Sequence, residues 1–301
     1  MAKEETSKKK VVVATDIIIL LISFAPIFLL EFFIEPRRGG FFCSDSSIRY
    51  PYVKPIVKTS YLLSFFVGVP IVTISVLECT RMIKDKNFKF SEYFYSLYTV
   101  LKVFVFGFGL STLTVEVFKH TLGNLRPHFI DVCYGGGGGG FSDPTTIIEC
   151  STTSGNNDDE YIIASDSICD YNKEDYDLIK NARLSFMSAH ASISSFSCFF
   201  LIFYLQFRVK IKREHVFIKP VLQFVFFILT VLVSLSRIVD HHHHWYDVLA
   251  GFVNGILFAA FCCFAILKYG RHYSLRENEK SEEIENTHEQ RYVEYEEDTI
   301  V

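Results

Sequence analysis

The sequence predicts an all-α polytopic membrane protein, with six transmembrane helices, a helical core and both termini cytoplasmic. Three observations predict it. Half of the 301 residues are AVILMFWYC and 31 are Phe, against 21% charged. Six apolar stretches approach the roughly 20 residues a helix needs to cross hydrocarbon. Basic clusters alternate along the chain so that they share one face. The mean hydropathy of +0.24 excludes disordered and collagen-like chains and argues against a water-soluble globule. A net charge of −4 shows no basic excess, so a nucleic-acid partner has no support.

The six stretches are 11–34, 61–77, 98–118, 191–207, 219–236 and 248–267. Polar residues at their ends sit at the interface or snorkel. The first carries Asp16 and Glu31 near its ends. It is too long for a cleavable signal peptide, and no small-residue cleavage site follows it. Lys8, Lys9 and Lys10 precede it; Arg81, Lys84, Lys86 and Lys89 separate the second from the third. Arg208, Lys210, Lys212 and Arg213 separate the fourth from the fifth, and Lys268, Arg271 and Arg276 follow the sixth. These place residues 1–10 and an acidic tail at 271–301 in the cytoplasm, flanking a membrane domain at 11–270. Arg37, Arg38, Arg49, Lys54 and Lys58 in the first outer loop dilute the bias.

The opposite face then holds loops at about 35–60, 119–190 and 237–247. Cys43, Cys133, Cys150 and Cys169 fall in them, and an oxidising compartment allows three pairings. Cys79, Cys198, Cys262 and Cys263 lie in or beside spans and read as packing residues. Gly135 to Gly140 reads as flexible spacer. The tail ends Thr299-Ile300-Val301, which fits the carboxyl-terminal ligand of a PDZ domain.

Polar groups gather at the outer ends of the spans. Lys119 and Arg126 are seven apart, so a continuing helix places both cations on one side, where they suit a phosphate. The bland alternative is snorkelling, with Glu116 paired to Lys119. Ser188-Ala189-His190 precedes the fourth span, where free backbone N–H groups receive an anion and His190 moves protons. Its alternative is a Ser188 N-cap beside an interfacial histidine. After the fifth span come Ser236, Arg237 and a run of four histidines, His241 to His244, then Asp247. His243 and Asp247 are four apart, one helical face, so the carboxylate is placed to orient the imidazole. A metal site in the run is the rival, but no zinc-type ligand spacing stands out, so no metal or other cofactor is expected. Together the three segments supply cations for equatorial oxygens, an in-line nucleophile and an acid for the leaving oxygen.

At these residues the sequence resembles the type 2 phosphatidic acid phosphatase (PAP2) superfamily, and within it the lipid phosphate phosphatases. Lys119 to Pro127 matches K-x6-R-P; Ser236, Arg237, His243 and Asp247 match S-R-x5-H-x3-D. That spacing selects His243 from the run. Trp245, Val248 to Gly251 and the segment 37–54 are also similar. The middle motif departs, with Ser188-Ala189-His190 in place of Ser-Gly-His. The resemblance covers about 35–270 and implies an acid-phosphatase-like helical core and a double displacement. His243 is the implied nucleophile, forming a phosphohistidine. His190 is the implied acid and then base, and Asp247 the group that orients His243. Lys119, Arg126, Arg237, Ser188 and the Ala189 N–H are the implied phosphate ligands. Because Gly serves close approach or positive φ, Ala189 predicts reduced but real activity, which Ala189→Gly should raise.

The implied substrates are lipid phosphates in the plasma membrane or the ER and Golgi: phosphatidate, lysophosphatidate, sphingosine 1-phosphate or ceramide 1-phosphate. A prenyl or dolichyl pyrophosphate and a homo-oligomer also fit. Three other classes stand beside this reading: a sphingomyelin-synthase-like phosphotransferase, a catalytically weak relative, and a transporter. The last predicts charges buried mid-span, and those segments are nearly free of them.

Overall fold

The computed structural model describes residues 2–83, 90–135, 161–164, 169, 176–209 and 216–268. The glycine run beyond Gly135, Cys150 and the tail with Thr299 to Val301 lie outside them. So do Lys84, Lys86, Lys89, Lys210, Lys212, Arg213, Arg271 and Arg276. The described helices are α1 (Ala2–Phe33), α2 (Thr59–Ile83), α3 (Phe90–Leu122), α4 (Phe129–Gly135), α5 (Tyr176–Ala182), α6 (Ala189–Arg208), α7 (Ile218–Val239) and α8 (Trp245–Ala260). A π-helical stretch, Phe261–Lys268, continues α8. Six helices are long and apolar enough to span a bilayer: α1, α2, α3, α6, α7, and α8 with its extension. This is an all-α polytopic membrane protein. The helices satisfy their backbone groups internally, as hydrocarbon requires.

The spans match the apolar stretches, but α3 begins at Phe90, eight residues before the expected start at Tyr98. Its first turns carry Ser91, Glu92 and Ser96, which the apolar count rejected. Ser96 finds an acceptor in Glu78 at 2.7 Å.

α6 is the most buried span and packs against α8, α7, α2 and α3, while α1 leans chiefly on α3. Phe104, Phe196, Phe200, Tyr204, Ile74 and Ala259 form the main apolar core. Polar ties cross it. Asn254 Nδ2 donates to Ser192 Oγ at 2.9 Å and to the Ser111 carbonyl at 3.2 Å. Glu78, buried at the far end of α2, accepts from Tyr204 and Ser96 and pairs with Arg208 at 3.2 Å and Arg81 at 3.3 Å. This one buried carboxylate is fully engaged by α2, α3 and α6, which is a structural use rather than a transport path.

α8 approaches α6 backbone to backbone. A Cβ on Gly251 would stand 2.3 Å from the Ser188 carbonyl oxygen, and one on Gly255 would stand 2.0 Å from Ser195 Oγ. Two glycines four apart let the helices close to this distance. Ser188 N then donates to the Asp247 carbonyl at 3.0 Å.

At one end of the bundle the connecting segments form a cap. It includes a strand pair that the all-α reading did not foresee: β1 (Gly40–Phe42) runs antiparallel to β2 (Tyr161–Ile163), with Gly40 opposite Ile163. Three-residue strands carry too short an alternation to stand out in sequence. Phe41, Phe129, Ile130, Ile162 and Ile179 fill the cap's own core. The Cys133–Cys169 disulfide crosses it, and Cys43 is disulfide-bonded as well. Cys79, Cys198, Cys262 and Cys263 are free, the last three buried among span residues.

Gly251→Ala should force α6 and α8 apart, costing about 1–3 kcal/mol and lowering activity at least tenfold. Gly68→Ala on α2, where nothing lies within 4 Å of the added carbon, should change neither. Thermal stability and turnover of the two purified variants check this.

Candidate functional site

Four helix ends converge beneath the cap. α3 and α7 end there and carry Lys119 and Arg237 in their last turns. α6 and α8 begin there with His190 and Asp247 in their first turns. Cations at helix C-termini and anion-seeking N–H groups at N-termini are both favoured by the helix dipole.

Each end is set by local chemistry. α3 stops because Gly123 takes φ +62°, where the Arg37 carbonyl would lie 2.0 Å from any Cβ. The continuing helix expected for Lys119 and Arg126 is therefore corrected. Arg126 lies beyond the break, and its backbone N–H is held by the Ala182 carbonyl at 2.8 Å. α7 stops in a turn where His241 adopts φ 54° and the Arg237 carbonyl accepts from both His242 N and His243 N, at 3.1 and 3.2 Å. A histidine thus fills the left-handed position usually held by glycine. Ser188 caps α6, accepting from Ala191 N at 3.5 Å. His244 caps α8, and Asp247 accepts from His244 N at 3.0 Å and His244 Nδ1 at 3.3 Å.

The shared helical face expected for His243 and Asp247 is corrected too, because α8 begins at Trp245 and His243 precedes it. The cap turn still brings them together. His243 Nδ1 lies 3.9 Å from Asp247 Oδ2, and both side chains are almost fully buried. Neither His243 Nδ1 nor Asp247 Oδ1 has a hydrogen-bond partner. Ser185 Oγ donates to Asp247 Oδ2 at 2.5 Å.

The three sequence segments meet. The charged and chargeable groups whose fields act on His243 are Arg126, Arg237, Lys119 and His190. Lys119 Nζ also pairs with Glu116 at 2.8 Å, so the snorkelling alternative was right about the partner, although Lys119 still lies within reach of the site. Arg237 Nη1 lies 3.6 Å from Asp240 Oδ2. Arg126 Nε, Arg237 Nε and Arg237 Nη1 are buried with no hydrogen-bond partner among the described residues. Buried guanidinium donors left unspent are costly unless an anion takes them.

Burial and the surrounding Arg126 and Arg237 hold His243 well below the ordinary histidine range, so it is a neutral imidazole. Burial and Arg237 push Arg126 down to about 10, and Asp247 opposes that shift.

Ala189 opens α6 in ordinary backbone: among the described residues His241 is the non-glycine residue with positive φ. Strain at Ala189 is therefore not a source of reduced activity.

Sequence reasoning missed a strap over the site, residues 50–57. Tyr50 N donates to the Pro127 carbonyl at 2.9 Å and Tyr52 N to Asp131 Oδ2 at 2.8 Å. Ile56 N donates to Asp240 Oδ2 at 2.9 Å. The Val53 and Val57 carbonyls accept from His242 Nε2 and His190 Nε2, each at 3.0 Å. Pro51 and Pro55 signalled extended chain, but not what it covers. The histidine run divides by position rather than converging as metal ligands. His241 stacks on Tyr50 at 4.5 Å, His242 bonds the strap, His243 faces Asp247, and His244 caps α8.

Fold and site together define a polytopic membrane protein with a buried cluster of cationic and imidazole groups at one end of its helical bundle. The sequence model of the PAP2 superfamily matches residues 100–270. Phospholipid phosphatase 1 of Mus musculus is 30% identical over 244 residues, 80% of this chain and 79% of the relative. Phospholipid phosphatase 2 of Homo sapiens is 29% identical over 244 residues, 80% and 77%. Phospholipid phosphatase 2 of Rattus norvegicus is 29% identical over 269 residues, 87% and 90%. No solved structure matches the chain. The chain belongs to the PAP2 superfamily.

Three imidazoles outside the spans are kept neutral chiefly by burial: His243, His242 (pushed down to about 2) and His128 (to about 3). Below the unfolded histidine pKa of about 6.5 the unfolded chain binds protons that the folded chain refuses, so stability falls with pH. Each such group should cost about 2 kcal/mol at pH 5 relative to pH 7.5 or above. Thermal unfolding in detergent should show the midpoint dropping steeply between pH 7 and 5, and less so in His128→Asn.

Proposed function

We propose that this protein is a lipid phosphate phosphatase that works without metal through a phosphohistidine at His243. The observation that carries the reading is the neutral, buried His243 with Arg126, Arg237 and Lys119 around it and guanidinium donors unspent. Membership of the PAP2 superfamily, and relatives named as phospholipid phosphatases, agree with it.

The chemistry follows from the placement. The phosphoryl oxygens take the unspent donors of Arg126 and Arg237, the Lys119 ammonium, and the Ala189 N–H at the start of α6 capped by Ser188. His243 Nε2 attacks phosphorus as the ester P–O bond breaks. Its Nδ1–H then faces Asp247, which stabilises the cation as it forms. His190 Nε2–H points at the Val57 carbonyl, leaving Nδ1 to carry the proton given to the departing alkoxide. In the second half His190 takes a proton from water, the water oxygen attacks phosphorus as the P–N bond breaks, and phosphate leaves with His243 restored.

The bundle places this centre at the end of the spans, where a headgroup is reached while its tails stay in hydrocarbon. That favours phosphatidate, lysophosphatidate, sphingosine 1-phosphate or ceramide 1-phosphate. The alternating basic clusters support an extracellular or luminal site, and a plasma-membrane location fits that reading.

Purified protein in detergent micelles with EDTA should release inorganic phosphate from lysophosphatidate. His243→Ala should lower the rate at least a thousandfold, and Arg126→Ala or Arg237→Ala at least a hundredfold. Phosphate transfer to a lipid acceptor with no free phosphate would mean a phosphotransferase, and abolition by EDTA would mean a metal.

A further inference from the structure

We propose that His242 is a positioning residue: a neutral imidazole that holds the Arg126 guanidinium in its phosphate-binding orientation. The inference rests on the phosphatase reading and deepens it. His242 lies among the five unspecified residues of S-R-x5-H-x3-D, so the motif gives it no part.

The donors and acceptors leave one arrangement. His242 Nε2 lies 3.0 Å from the Val53 carbonyl oxygen. A carbonyl only accepts, so Nε2 carries the proton. His242 Nδ1 lies 3.3 Å from Arg126 Nη1. A guanidinium only donates, so Nδ1 is the lone-pair nitrogen. The two contacts call for the same neutral tautomer, and an imidazolium would set N–H against N–H. Burial, with Arg237 and Arg126 close by, holds the ring in that neutral form.

The ring itself cannot turn freely. His128 meets it edge-on at 4.8 Å and Tyr52 at 5.7 Å. His128 is fixed in turn by its Nδ1–H to the His241 carbonyl at 2.8 Å. The backbone N–H of His242 is tied to the Arg237 carbonyl at 3.1 Å. Both arginines of the site thus bear on one residue, Arg126 through its guanidinium and Arg237 through its backbone carbonyl.

Arg126 needs such support. Among the described residues its Nη2 reaches only the Leu184 carbonyl, at 3.5 Å, and its Nε has no partner. No carboxylate among the described residues pairs with it within 4.0 Å. A carboxylate in place of His242 would orient the guanidinium but neutralise it and compete with phosphate. A neutral imidazole orients it and leaves its charge for the substrate.

The test uses the full chain in detergent with EDTA, lysophosphatidate as substrate and inorganic phosphate as inhibitor. His242→Ala should raise KM and the phosphate inhibition constant together by about tenfold, with kcat falling less. His242→Asn, whose Oδ1 stands where Nδ1 stood and still accepts, should recover to within about threefold of wild type. His242→Gln, whose amide reaches towards the Nε2 position instead, should resemble the alanine variant. If the alanine variant does not fold, the Asn and Gln variants carry the comparison through the same inhibition constant. Equal behaviour of Asn and Gln, or an unchanged inhibition constant in all three, would overturn the inference. His243→Ala is run beside them: if the wild type releases no phosphate the phosphatase reading fails, and if His243→Ala keeps wild-type activity the phosphohistidine reading fails, whereas an active wild type, an inactive His243→Ala and intact His242 variants fail only this inference.

Discussion

The close approach of α8 to α6 is the constraint on which the site depends. With no side chain at Gly251, the α8 backbone rests on the Ser188 carbonyl. That contact sets where α6 begins and lets Ser188 N bond the Asp247 carbonyl. His190 follows two residues after Ser188, and His243 four residues before Asp247. The proposed acid and the proposed nucleophile are therefore located by one backbone contact, made where hydrophobicity supplies little specificity between spans and packing decides. The Asn254, Ser111 and Ser192 bonds continue the same seam into the bundle.

Around that seam the charges are arranged by helix polarity. Two helices deliver cations at their C-termini and two deliver N–H groups at their N-termini, all towards one buried volume. Burial makes every group there costly when unpaired, and the site shares its carboxylates sparingly: Glu116 with Lys119, Asp240 with Arg237, Asp247 with the cap of α8. The remaining guanidinium donors have no hydrogen-bond partner among the described residues, which is what the proposed phosphate would supply. The same desolvation that strands them keeps His243 unprotonated, so the proposed phosphate binding and the proposed nucleophilicity of the imidazole have a common cause.

Much of this was legible in the sequence because it rests on short-range rules. Apolar length predicted the six spans, and the spacing of Lys119, Arg126, His190, Arg237, His243 and Asp247 predicted a cluster that the fold brings together. The errors came where periodicity was carried through a break. Lys119 and Arg126 were placed on one helix, but Gly123 ends it. His243 and Asp247 were placed on one helical face, but the cap turn begins between them. In both cases the residues converge by a turn whose geometry depends on tertiary partners, Arg37 in one and Arg237 in the other. The strap at 50–57 and the role of His242 were not legible, because each is a set of bonds between segments more than 70 residues apart. No local pattern encodes such pairings.

The central claim is that His243 carries the phosphoryl group between substrate and water. Rapid mixing of the protein with lysophosphatidate labelled with ³²P, followed by an alkaline quench, tests it directly, since a phosphoramidate survives base. The account predicts a transient base-stable, acid-labile label on the protein that maps to the His241–His244 run and vanishes in His243→Ala. Turnover at the wild-type rate with no label on the protein, or a label that persists in His243→Ala, would contradict it.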